Sequence, residues 1–182
     1  DQFLPFIKIM KERCYQGKLI IEEDYRKSLK NKNERYFYPL NETTNFKLNK
    51  FFRKITKNIP NKEMTLIIKG RKFIIKNYFN GIARFNFKEL CSKNIGAEDY
   101  IKIAKVCSFI IIENIPIFNT DNSNQQQRFI TLIDILYEKN IPLMISSQLQ
   151  LDLLSSSKDL KKIFKRTISR LYELTSIKYN KL

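Results

Sequence analysis

The chain has 182 residues, 43% of them apolar and 13% aromatic, and carries a formal charge of +16. That is enough for one domain, or one and a half, with a real core. It is too apolar for a disordered chain, and four Gly and five Pro argue against a loop-rich or low-complexity protein. Histidine is absent, which removes His acid–base catalysis, Cys–His dyads and His-ligated zinc.

Three cysteines, Cys14, Cys91 and Cys107, form no C-x-x-C pair and are odd in number, as expected of inert thiols in a reducing compartment. The positive charge has two readings. One is a nucleic-acid or anionic-membrane partner. The other, preferred, is compositional bias, because Lys greatly outnumbers Arg and the basic residues are spread along the chain. No apolar run has the length of a membrane span. The first residue is Asp1 and an apolar pattern begins at once, so the chain is expected to start inside a folded unit.

In chain order, Phe3, Phe6, Ile7, Met10 and Cys14 recur at helical spacing and predict a helix over 2–14, capped by Asp1. Leu19–Ile21 predicts a short strand. The polar stretch 24–41, with its tyrosines, predicts an insertion of short strands, and 43–57 a helix. Met64–Ile68 and Phe73–Ile75 flank Gly70-Arg71 and predict a β-hairpin. A strand at Gly81–Phe85 and two short helices, Phe87–Cys91 and Ala97–Val106, follow. Ser108–Ile112 is a continuous apolar run, expected as a buried strand.

Residues 119–125 predict a loop, and Gln126–Glu138 a helix apolar nearly all round, hence buried. Pro142–Ser146 predicts a strand. Leu160–Thr175 predicts an amphipathic helix with Ile163, Phe164, Ile168 and Leu171 inward. From residue 81 onward strands and helices alternate, the pattern of an α/β sheet with covering helices.

The four glycines, at 17, 70, 81 and 96, cannot supply G-x-x-x-x-G-K-[ST], the loop whose backbone N–H groups wrap phosphates. Phe109–Glu113 has the outline of a Walker B strand, four apolar residues and an acid. Without a P-loop beside it, the preferred reading is a buried strand leaving the core at Glu113. Asp134 sits inside the apolar helix, where a carboxylate is costly without a partner. Arg166 and Arg170, spaced i, i+4, share a helix face, and one of them is expected to pair with Asp134. The alternative is that both are solvated, with Arg170 loosely paired to Glu173.

Several segments together resemble a known family. They are Phe3-Leu4-Pro5-Phe6-Ile7, Lys11-Glu12-Arg13-Cys14 and Asp24-Tyr25-Arg26; then Phe87-Lys88-Glu89-Leu90-Cys91 with Gly96-Ala97-Glu98-Asp99-Tyr100; then Arg128-Phe129-Ile130-Thr131-Leu132-Ile133-Asp134 with Tyr137; and Phe164-Lys165-Arg166-Thr167-Ile168-Ser169-Arg170-Leu171. Their order and spacing resemble the C-terminal half of the ZapE / lactation-elevated (AFG-one-like) AAA+ ATPases, with Lys165 where Glu is usual.

The resemblance implies the C-terminal part of a P-loop NTPase: a mixed sheet with covering helices and a small β-rich insertion. Residues 1–26 would end the AAA+ core, 27–80 form the insertion, and 81–182 the C-terminal α/β region. It implies ATP and Mg²⁺ for the full-length protein, neither bound by this segment alone, since Walker A, Walker B and sensor 1 would precede residue 1. Arg166, Arg170 and Arg128 are the matched arginines, candidates for nucleotide sensing or an interface; no metal ligand is expected. The implied partners are the rest of the AAA+ core, the tubulin-like division protein and further copies of the chain. Peripheral membrane contact is a further expectation, and nucleic acid is not favoured. The implied location is the bacterial cytoplasm, or mitochondria as the alternative.

Overall fold

The structure, a computed structural model, describes residues 4–13, 35–57 and 59–176. The strand expected at Leu19–Ile21, the expected boundary at residue 26, and Cys14 lie outside them. Helix α1 (Leu4–Arg13) forms where the helical spacing predicts it, but none of its residues is buried. Its apolar side chains Leu4, Phe6, Ile7, Ile9 and Met10 are all exposed.

Among the described residues five strands make one sheet, in the order β1 (Tyr36–Phe37), β7 (Leu143–Ser147), β6 (Phe109–Ile115), β5 (Ile82–Asn86) and β4 (Tyr78–Phe79). The first four run parallel to one another, and β4 is antiparallel to β5. Both ends of the described stretch 35–80 therefore join this sheet as its edges. Only the hairpin β2 (Met64–Ile68) with β3 (Arg71–Ile75) stands apart as a two-stranded sheet. Its turn is made by Lys69 and Gly70, both at positive φ, which is the geometry that twists a tight hairpin correctly.

Strand β6 explains the layering. Its side chains alternate faces. Phe109 and Ile111 pack with Ile82, Met144 and the inward residues Leu48 and Ile55 of α2 (Glu42–Ile55). Ile110 and Ile112 point the other way, into a larger core shared with helices α3 (Phe87–Cys91), α4 (Ala97–Val106), α5 (Ser123–Glu138) and α6 (Lys161–Ser176). The sheet is thus covered by α2 on one face and α3–α6 on the other. Such double coverage is why β6 reads as an unbroken apolar run rather than an alternating one. Rings of Phe87, Phe118, Phe129 and Phe164 meet at centroid distances of 5.5 to 5.8 Å and seal the second face.

Local chemistry starts and stops these helices. Asn41 caps α2 by accepting from the Thr44 N–H at 2.8 Å, and Arg53 and Lys54 sit in its last turn, where cations suit the helix dipole. Asn86 and Glu89 close a capping box on α3. Helix α5 begins at Ser123, three residues earlier than the sequence predicts, and the fully buried Gln126 explains this. Its amide donates to Ser156 Oγ at 2.7 Å and accepts from the Ser157 N–H at 3.0 Å, so the polar first turn binds a neighbouring loop instead of forming one. On α6, Phe164, Thr167, Leu171 and Thr175 form the buried stripe. Ile163 is 43% exposed, contrary to expectation, because it lies one residue off that stripe.

Candidate functional site

The arginines singled out by the sequence fall into two places. Arg166 Nη2 donates to Asp134 Oδ2 at 2.8 Å, and Arg170 Nη1 donates to Asp134 Oδ1. Both arginines, rather than one, therefore hold the carboxylate, and α6 docks on α5 through it. The two contributions are unequal. The Arg170 side chain is 16% exposed and its guanidinium stacks 4.7 Å from the centroid of the Tyr137 ring, whereas the Arg166 side chain is 56% exposed. Asp134 is half-buried, so its charge is paired without being cut off from water. Glu173, the alternative partner of Arg170, accepts a hydrogen bond from the Tyr137 hydroxyl at 3.0 Å.

Arg128 belongs elsewhere. It donates to the Cys91 carbonyl at 3.1 Å, joining α5 to the end of α3. Burial raises the Cys91 thiol well above the usual thiol range, and the nearby Arg128 charge only partly offsets it. Burial likewise pushes the Cys107 thiol up to about 12. Neither cysteine is a nucleophile at neutral pH.

A cleft of about 470 Å³ opens where the parallel strands end. The loop after β1 and the first turns of α2 form one wall, with Leu40, Asn41, Glu42, Asn45 and Asn49. The ends of β6 and β7 form the other, with Glu113, Asn114 and Ser146. Clefts outside the carboxyl ends of parallel strands are where open α/β sheets place ligands. Arg84 crosses its floor. Its Nε and Nη2 donate to Glu113 Oε2 and Oε1 at 2.6 and 2.7 Å. Nη2 also donates to Asn49 Oδ1 at 3.0 Å, and the guanidinium lies 4.7 Å from the Phe52 ring centroid. Both charged side chains are mostly buried.

The sequence reading left Glu113 as a strand end and did not single out Arg84. The signal was there: an arginine between Ala83 and Phe85 in an otherwise apolar strand needs a partner, and Glu113 ends the neighbouring strand. Asn114 follows at φ 61°, and its N–H is satisfied by Ser146 Oγ at 3.1 Å.

ATP with Mg²⁺ does not fit this cleft. The β1–α2 turn is Tyr38-Pro39-Leu40-Asn41, with no glycine to let backbone approach phosphate and no lysine. The Thr44 N–H at the helix start is already taken by Asn41, and Glu42 adds negative charge there. The acid that could hold a metal ion is bound to Arg84. Among the described residues no group of three or more Cys, Asp or Glu is placed to hold a metal ion, and no helix is long and apolar enough to cross a membrane.

Residues 1–182 match the family model of the AFG1-like ATPases from end to end. The chain is 29% identical over 153 residues to "Lactation elevated protein 1 homolog B" of Danio rerio, covering 82% of this chain and 30% of that protein. It is 26% identical over 180 residues to "Cell division protein ZapE" of Escherichia coli, covering 99% of this chain and 48% of that one. An uncharacterised protein of Schizosaccharomyces pombe is 29% identical over 150 residues, covering 81% of this chain and 33% of its own length. The chain thus spans less than half the length of these relatives. No solved structure gives a significant match.

Proposed function

The chain belongs to the AFG1-like ATPase family, and from that premise we propose that it is the C-terminal portion of an ATP-hydrolysing AAA+ protein that remodels protein assemblies. The observation that carries this reading is the family match over every residue, together with a cleft that cannot itself hold the nucleotide. ATP and Mg²⁺ then belong to another segment of the full-length protein. This portion supplies a rigid α/β body. Arg128 and Arg170 serve its packing. Arg166 is the arginine open to solvent, and so the candidate for reaching a nucleotide held by a neighbouring copy, where positive charge at the γ-phosphate speeds transfer.

The relative called a cell division protein makes a division assembly the first client class; the family resemblance would build it on the tubulin-like ring protein in the bacterial cytoplasm. Membrane-protein quality control in mitochondria is the second. The test is ATP turnover by the full-length protein: Arg166→Ala is expected to lower it at a temperature where circular dichroism shows the variant folded. Wild-type turnover would assign Arg166 to packing alone, and absence of turnover in the wild-type protein would overturn the ATPase reading.

A second reading, a non-catalytic module for an anionic membrane or nucleic acid, rests on the outer face of α2, where Lys47, Lys50, Arg53 and Lys54 are all exposed, with Lys57 exposed just past the helix end. Binding that falls steeply with rising salt would support it.

A further inference from the structure

The strands around the cleft have an order that carries information. Counted along the chain, the parallel strands are β1 first, β5 second, β6 third and β7 fourth, and in space they lie first, fourth, third, second. That is the order of P-loop nucleotide hydrolases counted from the strand that bears the phosphate loop. The layering agrees: the helix after the first strand, α2, covers one face, and the helices after the second, third and fourth strands cover the other. The positions at the strand ends agree as well. The first strand leads through a short turn into a helix, as a phosphate loop does. The third, Phe109-Ile110-Ile111-Ile112-Glu113, ends in an acid, where a nucleotide hydrolase keeps its metal-holding carboxylate. The fourth ends in the polar pair Ser146-Ser147 between them.

We propose that this α/β unit is itself a P-loop-type nucleotide fold whose site is closed from within, with the Arg84 guanidinium occupying Glu113 in place of a metal ion. Each element a nucleotide requires has been replaced by one that excludes it. The turn has side chains where backbone must approach phosphate, so the cradle is missing. Asn41 uses the helix N-terminus for its own cap. Two carboxylates, Glu42 and Glu113, line the cleft against one guanidinium, so the wall repels a polyphosphate rather than attracting it. Both Glu113 oxygens already accept from Arg84, and Asn49 and the Phe52 ring hold the guanidinium from the α2 side. The pair ties the second and third strands to the first helix, across the space between helix and acid that a nucleotide would otherwise bridge. The ATPase would then contain two bodies of related design, one working and one fixed. This inference is read on the present chain alone and stands whether or not the full-length protein hydrolyses ATP.

Calorimetric titration of the 182-residue chain with Mg·ATP and with Mg·ADP is expected to give no saturable binding up to about millimolar concentration, the range of ordinary substrate affinities. Arg84→Ala and Glu113→Ala are each expected to lower the thermal midpoint by roughly 5 °C, and the double variant by much less than their sum, because either single change leaves a buried charge alone. Arg84→Lys keeps charge in a foldable variant and is expected to lower the midpoint less, while still binding no nucleotide. Saturable binding to the wild-type chain that Glu113→Gln abolishes would overturn the proposal, as would additive effects of the two alanine changes. In an experimental structure of the full-length protein, β1, β7, β6 and β5 are expected to superpose strand for strand on the sheet that bears the P-loop. A failure to superpose would refute the common design.

Discussion

The guanidinium of Arg170 lies over Tyr137, 4.7 Å from the ring centroid, while the Tyr137 hydroxyl reaches back to Glu173 on the same helix as the arginine. The ring is thus held at its face and its tip by α6. Because Arg170 also holds Asp134, Arg170→Ala is expected to cost about 2 kcal/mol, as for a hydrogen bond to a charged group. Arg166→Ala, at an exposed pair, is expected to cost about 0.5 kcal/mol. Asp134→Asn should resemble the first and not the second. Urea unfolding of the three variants checks the order.

Gly81 is at φ +92°, and a Cβ placed there would sit 2.8 Å from Ser108 Oγ. Its carbonyl accepts from the Ser108 N–H at 2.7 Å, which starts the pairing of β5 with β6. Gly81→Ala is therefore expected to destabilise by about 2 kcal/mol through both backbone strain and the close contact. Gly81→Ala combined with Ser108→Gly should recover only the contact part, as read from thermal midpoints.

Asp99, with 3% of its side chain exposed, receives Arg71 at 2.5 and 2.6 Å and caps the Gly96 N–H at 2.8 Å. One carboxylate thus starts α4 and fastens the β2–β3 hairpin to it. Asp99→Asn is expected to cost about 2 kcal/mol. Amide hydrogen exchange should rise first in 64–75, the hairpin that loses its anchor, while exchange in β6 changes only with global stability.

Stability is expected to decline above about pH 9. Burial raises Cys107 from 9.0 to about 12 and raises Cys91, Tyr36 and Tyr100 in the same direction. The folded protein then holds protons that the unfolded chain releases. This stabilisation is complete below pH 9 and is lost progressively as pH rises toward 12. A thermal midpoint that stays flat from pH 8 to 11 would contradict this burial.

Hydrophobic period made most of the fold legible. α2, the β2–β3 hairpin, β5, β6, α5, β7 and α6 all form where their spacing predicts, within a few residues. Asp134 was legible because an acid within an apolar helix demands a counter-charge, and the i, i+4 arginines offered it. What could not be read was anything set by strand order. Nothing local in Tyr36-Phe37 says that it lies beside β7, more than a hundred residues later. Without that neighbour, Leu40, Asn41 and Glu113 are distant residues and not two walls of one cleft. Arg84 does signal locally that it needs a partner, but that the partner is Glu113 depends on strand order, since it lies across a sheet rather than along a helix.

Arg35 donates to the carbonyls of Leu174 and Thr175, 139 and 140 positions later. Those carbonyls lie in the last turn of α6, where a cation suits the helix end. The outermost parallel strand is therefore clasped by a helix made more than a hundred residues after it. Until that helix docks, the two-residue β1 lacks its clasp and is an edge open to stray pairing with other nascent chains. The yield of this protein should thus depend on synthesis speed and chaperone supply as well as on equilibrium stability.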